Sequence, residues 1–326
     1  MRLEGISPKA YEHPADRAAT TALQSIPGLD VLVKKLVELR WERTYRQLFL
    51  ANSVKVGPDQ LPDVWRSYER ALQTLDLNEV YDLYVSAWPQ PNASAIGAGT
   101  PMIVVTSSLV GLTEEDELRT VLAHEVAHIL SAHVMYRTAL QILLQLGTAR
   151  LPLARLPLMG VTMALLEWAR ASELSCDRAS ALVNRDPLVT CRTLMVLASA
   201  TPSARLNLDA FLRQASDYEE WESDWDRMRR FLIGLGLTHS FAVRRVRELT
   251  RWVQSGEYDR ILRGEYPRRG DPADARAEAG EAVEHYRQRF LAAFREAGES
   301  VERSVDRLEQ WLRTVGTDRG ERQTSA

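Results

Sequence analysis

Two histidines with a glutamate beside the first, in His124-Glu125-Val126-Ala127-His128, constrain this chain more than any other segment. Four residues apart on a helix, the imidazoles project side by side and can grip one zinc ion, while the carboxylate stands where it can take a proton from a water molecule. That arrangement suits metal-assisted hydrolysis of an amide. Leu118, Val121, Leu122, Val126, Ile129 and Leu130 recur at three- and four-residue spacing, so the motif lies in an amphipathic helix. Thr113 is the expected cap, with Asp116 at the capping-box position.

Zinc catalysis needs a third protein ligand and an open fourth position. His133 is near in sequence, but about 100° per residue carries it to the far side of a continuing helix, so it reads as a surface or packing residue. Ser131 and Val134 stand where a metzincin would have its glycine and third histidine. Glu173 is the stronger candidate, on a second helix that also carries Asp177 on the same face. Asp177 is suited to accept the second ring proton of His124 and so strengthen that ligand. Alone, the two carboxylates read as partners of Arg170 and Arg178 on a solvated face; beside the first motif they read as ligand and support. Cys176 reads as a small buried hydrophobe although thiolate is a good zinc ligand, and with Cys191 it implies no disulfide framework.

These segments resemble the gluzincin metallopeptidases that include the CAAX prenyl endopeptidases, the heat-shock protease HtpX and their soluble bacterial relatives. Pro91 to Gly97 followed by Pro101 to Leu109 resembles the family's hairpin and edge strand. Leu112 to His133 resembles its metal helix, Glu173 to Asp177 its E-x-x-x-D motif, and Thr238-His239 through Arg245 its late histidine segment, over residues 80 to 250 in all. The resemblance implies a mainly α, α+β zincin fold with the metal helix under a small antiparallel sheet. It implies one zinc ion held by His124, His128 and Glu173, with Glu125 as general base and acid and Asp177 in support. His239 would be an electrophilic helper to the developing oxyanion, worth about 2 to 4 kcal/mol, and Arg245 would brace the site near Asp177. Ser240 departs from the family's usual proline and Cys176 from its usual alanine. The strand Met102 to Thr106 reads either as an exposed edge, on which an extended peptide adds as a further strand, or as a core strand. Asn92, Ala93, Val104 and Val105 are its candidate substrate-binding residues.

The 326 residues divide into an expected helical layer at 1–80, a catalytic domain at 81–265, and a linker with a C-terminal amphipathic helix and frayed tail at 266–326. The helix carries a stripe from Val283 to Leu312, to be buried against the chain itself, a partner or a second copy. With 41 basic and 44 acidic residues intermixed, no nucleic-acid surface stands out. The N-terminus lacks a signal-peptide run, and Gln141, Gln145, Arg150, Pro152, Arg155 and Pro157 interrupt the apolar residues 139–168. That stretch reads as a helical hairpin over the site, a lid or a peripheral membrane contact, and the chain as cytoplasmic. The expected activity is a zinc-dependent endopeptidase acting on peptides or proteins; the rival reading is a noncatalytic interaction protein on the same fold.

Overall fold

A four-stranded sheet in the order β1-β2-β4-β3 supplies the floor of the molecule. The structure is a computed structural model that describes residues 2–24, 33–34, 37, 42–97, 99–148, 155–218 and 241–271. β1 (Ser53–Lys55) runs antiparallel to β2 (Asp82–Ser86), β2 runs parallel to β4 (Met102–Thr106), and β4 runs antiparallel to β3 (Ala93–Ile96). The sheet is therefore mixed, where a purely antiparallel one was expected.

Alternation along the strands sorts side chains to two faces. Leu83, Ala93, Ala95, Ile103 and Val105 join the main core, whereas Tyr84, Ile96, Met102 and Val104 form a second cluster with Tyr45 and Phe49. β4 is thus covered on both faces, hydrogen-bonded on both edges and buried at every residue. This corrects the edge-strand reading of residues 102–106: Val104 and Val105 are core residues, and the edge on this side belongs to β3. Gly97 ends β3 at φ 132°, where an added Cβ would lie 3.0 Å from the Cα of Pro101.

The helices are α1 (Pro14–Gln24), α2 (Glu42–Asn52), α3 (Pro62–Thr74), α4 (Ser107–Leu112), α5 (Glu115–Leu130), α6 (Val134–Thr148), α7 (Arg155–Asn184), α8 (Pro187–Ser199), α9 (Leu208–Asp217), α10 (Ala242–Gln254) and α11 (Glu257–Leu262). The mainly α, α+β class follows the sequence expectation. α5 and α7 pack along each other at the centre; α3 and β3 also lie on α5, and α1, α6, α8 and α10 on α7. Residues 171–183 of α7 are buried without interruption. Such a helix needs an internal partner for every polar group it carries.

α5 starts one residue later than the Thr113 cap expected: Glu114 donates its backbone N–H to the Glu117 carboxylate at 3.0 Å. Its other end stops abruptly. Ala132 adopts φ 57°, and the N–H groups of Ala132 and His133 bond to the carbonyls of Ile129 and His128 at 3.0 and 2.9 Å, the pairing of a Schellman motif. Leu3, Ile6 and Tyr11 enter the same core as α3, α5, α7 and α10. No helix among the described residues is long and apolar enough to cross a membrane. The C-terminal stripe Val283 to Leu312, the tail and residues 149–154 of the expected hairpin lie outside the described residues.

Candidate metal centre

The period of α5 sets His124 and His128 on one face, and their Nε2 atoms stand 3.2 Å apart. α7 supplies the third group: Glu173 Oε2 is 3.6 Å from His124 Nε2, and Oε1 is 3.4 Å from His128 Nε2. Donors held by one tetrahedral metal ion at zinc-like bond lengths stand roughly 3.3 to 3.6 Å apart, so these two nitrogens and one carboxylate fit such an ion. His128 and Glu173 are fully buried and His124 is 7% exposed, which leaves His124 the candidate ligand nearest to solvent. The carboxylates of Glu125, Glu173 and Asp177 face the guanidinium groups of Arg137 and Arg245.

Cys176 Sγ also lies within 4.8 Å of a ring nitrogen on each histidine and so competes for the third place. Its closest approach is to His128 Nδ1, at 3.2 Å, on the side of the ring away from His124. Burial, and next the charge of Glu173, push its thiol well above the ordinary range. Glu173, by contrast, faces both Nε2 atoms.

Around these groups lies a second set of contacts. Asp177 accepts from His124 Nδ1 at 3.2 Å, and Arg245 of α10 clamps Asp177 with two bonds of 2.7 and 2.6 Å while its third nitrogen lies 3.1 Å from Glu173 Oε2. Arg137 of α6 donates to Glu173 Oε1. Arg170 and Arg178, the partners expected on a solvated face, turn elsewhere: Arg170 pairs with Glu167, and Arg178 reaches the carbonyls of Tyr11 and Glu12 and stacks over Trp252. Burial opposes charge on His124, yet Asp177 and Glu173 outweigh it and raise its pKa to about 9, whereas burial and the charge of Arg137 hold His128 well below its ordinary value. Burial works against ionisation of Asp177, but Arg245 and His124 keep its carboxyl below the ordinary range.

Glu125 is 2% exposed, and its Oε2 accepts the backbone N–H of Ala95 in β3 at 2.7 Å. α5 is thus tied to the sheet edge at the residue next to His124. Along that edge, Thr138 of α6 bonds Gly97 through both N–H and C=O, and Gln141 reaches Ser94. Asn92 and Ala93 lie at the head of β3, with Asn92 Oδ1 accepting from the Ala93 N–H. Of the residues singled out in the sequence, His124, Glu125, His128, Glu173, Asp177 and Arg245 come together here. His239 lies outside the described residues.

Three participants were not read from the sequence. Arg137 had one available signal, a lone charge in the otherwise apolar run from Val134 to Leu146. His133 was assigned to the far side of the helix, but the chain turns at Ala132 and returns its ring to 3.1 Å from His128 Nδ1. Asp16, on α1, had no local signal; with it, His13, in the loop just before α1, is buried and donates its backbone N–H to Ser175. A cavity of about 500 Å³ lined by Arg66, Arg70, Arg119 and Arg185 lies at the opposite ends of α5 and α7, beside Glu115 and Asn184, and contains none of the metal cluster.

Residues 59–253 match the family model of peptidase family M48. The chain is 37% identical over 261 residues to plastoglobule-localized metallopeptidase 48, chloroplastic, of Arabidopsis thaliana, covering 78% of this chain and 75% of that protein. It is 43% identical over 91 residues to a protease HtpX homolog of Pelotomaculum thermopropionicum, covering 27% of this chain and 32% of that protein. No solved structure matches. By that family match and that likeness, the chain belongs to peptidase family M48 and is a metalloprotease.

Proposed function

We propose that this protein is a zinc-dependent endopeptidase whose ion is held by His124 Nε2, His128 Nε2 and the Glu173 carboxylate, with Glu125 as general base. The observation that carries the proposal is the convergence of those three donors at 3.2 to 3.6 Å beside a buried glutamate. When bound, zinc supplies a Lewis acid that lowers the pKa of water and polarises the scissile carbonyl. Two imidazoles and a carboxylate suit zinc by donor type.

The chain's own residues do the rest. With Oε2 fixed by the Ala95 N–H, Glu125 keeps Oε1 to take the proton of the attacking water and pass it to the leaving amine. Asp177, through His124 Nδ1, holds that ring with its Nε2 lone pair towards the ion, and Arg245 holds Asp177. An extended peptide along the outer edge of β3, past Asn92 and Ala93, would lie beside Glu125; its main-chain bonds would replace those that Thr138 makes with Gly97. His239 is assigned the donor role towards the oxyanion, on the strength of the family resemblance and of its place shortly before Arg245.

The test is hydrolysis of an unstructured protein by the native chain and by Glu125→Gln, with zinc measured in both. The proposal expects one equivalent of zinc in each and turnover in the native chain alone. Equal turnover in the two proteins would remove Glu125 from the mechanism.

A further inference from the structure

We infer that His133 and Asp16 are positioning residues for the metal centre: through a hydrogen-bonded chain from Asp16 to His133 to His128, they fix the tautomer and ring orientation of His128. This inference rests on the metal reading above and adds to it a part of the chain, the N-terminal helix, that lies outside the catalytic motif.

The three groups are buried in series. Asp16 Oδ2 is 3.2 Å from His133 Nε2, and His133 Nδ1 is 3.1 Å from His128 Nδ1. Asp16 and His128 are fully buried and His133 is 2% exposed. Asp16 is itself held, by Ser175 Oγ at 2.5 Å and Thr20 Oγ1 at 3.3 Å. The Trp168 ring stands edge-on to His133 with centroids 5.5 Å apart, and its Nε1 donates to Thr20 at 2.8 Å. Neither end of the chain can swing away without breaking contacts in α1, α6 or α7.

Proton placement follows from what each atom can do. A carboxylate only accepts, so His133 carries its hydrogen on Nε2. In the neutral ring, Nδ1 then presents a lone pair, and the hydrogen between the two rings belongs to His128 Nδ1. His128 Nε2 is left with a lone pair, directed at His124 Nε2 and Glu173 Oε1, where the ion binds. The reverse arrangement puts a hydrogen on His128 Nε2 and blocks ligation. Cys176 Sγ, 3.2 Å from His128 Nδ1, is a weak second acceptor for the same hydrogen. His124 receives equivalent support directly from Asp177, so each ligating ring ends on a carboxylate, one at first hand and one through a second imidazole.

The experiment is zinc affinity of the full chain by chelator competition, for the native protein and for His133→Asn, His133→Gln, His133→Leu and Asp16→Asn. Asparagine places an acceptor near the position of Nδ1, whereas glutamine reaches the position of Nε2. The inference expects Asn to stay close to native and Gln and Leu to lose 10- to 100-fold in affinity, the range for loss of a group that orients a ligating histidine. Simple space-filling predicts the opposite order, with the bulkier side chains best. Nitrogen-15 NMR of histidine-labelled native protein without metal supplies a second readout that needs no variant: the hydrogen of His128 is expected on Nδ1. Equal zinc affinity in Gln, Leu and native proteins, or a His128 hydrogen on Nε2, overturns the positioning chain and leaves the metalloprotease standing. Absence of zinc binding in the native protein overturns the metal reading along with it.

Discussion

The metal centre and the outer end of the sheet use the same ion-pair chemistry in opposite surroundings. At the centre, Asp177 meets Arg245 at 2.6 and 2.7 Å with both side chains almost wholly buried. At the outer sheet, Asp82 of β2 meets Lys55 of β1 at 2.6 Å and Arg46 of α2 at 2.9 Å, with 30% of its side chain exposed. The distances match, yet the consequences differ. Water competes for the outer pair and screens it, so it contributes little. The inner pair has no such alternative, and removal of either partner strands a charge in the core. Burial, more than geometry, decides which of these pairs the protein depends on.

Removing one inner partner gives the largest effect. Arg245→Met leaves Asp177 without its clamp and Glu173 without one of its cations, and is expected to lower stability by about 3 to 5 kcal/mol in urea unfolding. A loss below about 1 kcal/mol would mean that water enters the site and that the contrast between the two regions is false.

Asp177→Asn tests the same clamp through function. The amide still accepts from His124 Nδ1 but gives up the charge, so zinc affinity is expected to fall by 10- to 100-fold while the β1-β2 end is unaffected. Next comes acid. Burial opposes ionisation of Asp177, but Arg245 and His124 leave its folded pKa below the unfolded value of 3.8. The stability it contributes is present above that value and is lost as pH falls through it towards the lower folded value. Between pH 5 and 3 the native protein should therefore lose stability more steeply than Asp177→Asn. Asp82 is shifted in the same direction by Lys55 and Arg46 against its own desolvation, so removing it should flatten the curve only slightly. The smallest effect is expected at the outer pair itself: Asp82→Asn should cost roughly 0 to 1 kcal/mol, and a larger loss would sharpen the role of β1 in holding the sheet.

What the sequence revealed follows the same division. The helical period alone places His124 beside His128 and Glu173 beside Asp177, because each pair lies within a single turn of a continuous helix. His133 was misplaced because the extrapolation assumed that α5 continues. The helix ends at Leu130, and the left-handed turn falls on Ala132, with no glycine to announce it. Asp16 was beyond reach, since tertiary packing alone brings α1 against α7. For β4 a signal was available: Met102-Ile-Val-Val is continuously apolar, as suits a strand covered on both faces, whereas a half-exposed edge alternates. Arg137 joins Glu173 from an apolar helix whose lone charge needed a buried partner.

The central claim is that Glu173, rather than Cys176, completes a metal site with His124 and His128. Metal content after equilibrium dialysis against zinc, compared among the native chain, Glu173→Gln and Cys176→Ala, tests it directly. One equivalent in the native chain and in Cys176→Ala, with a marked loss in Glu173→Gln, is the predicted result. Loss of zinc in Cys176→Ala with full retention in Glu173→Gln would contradict it.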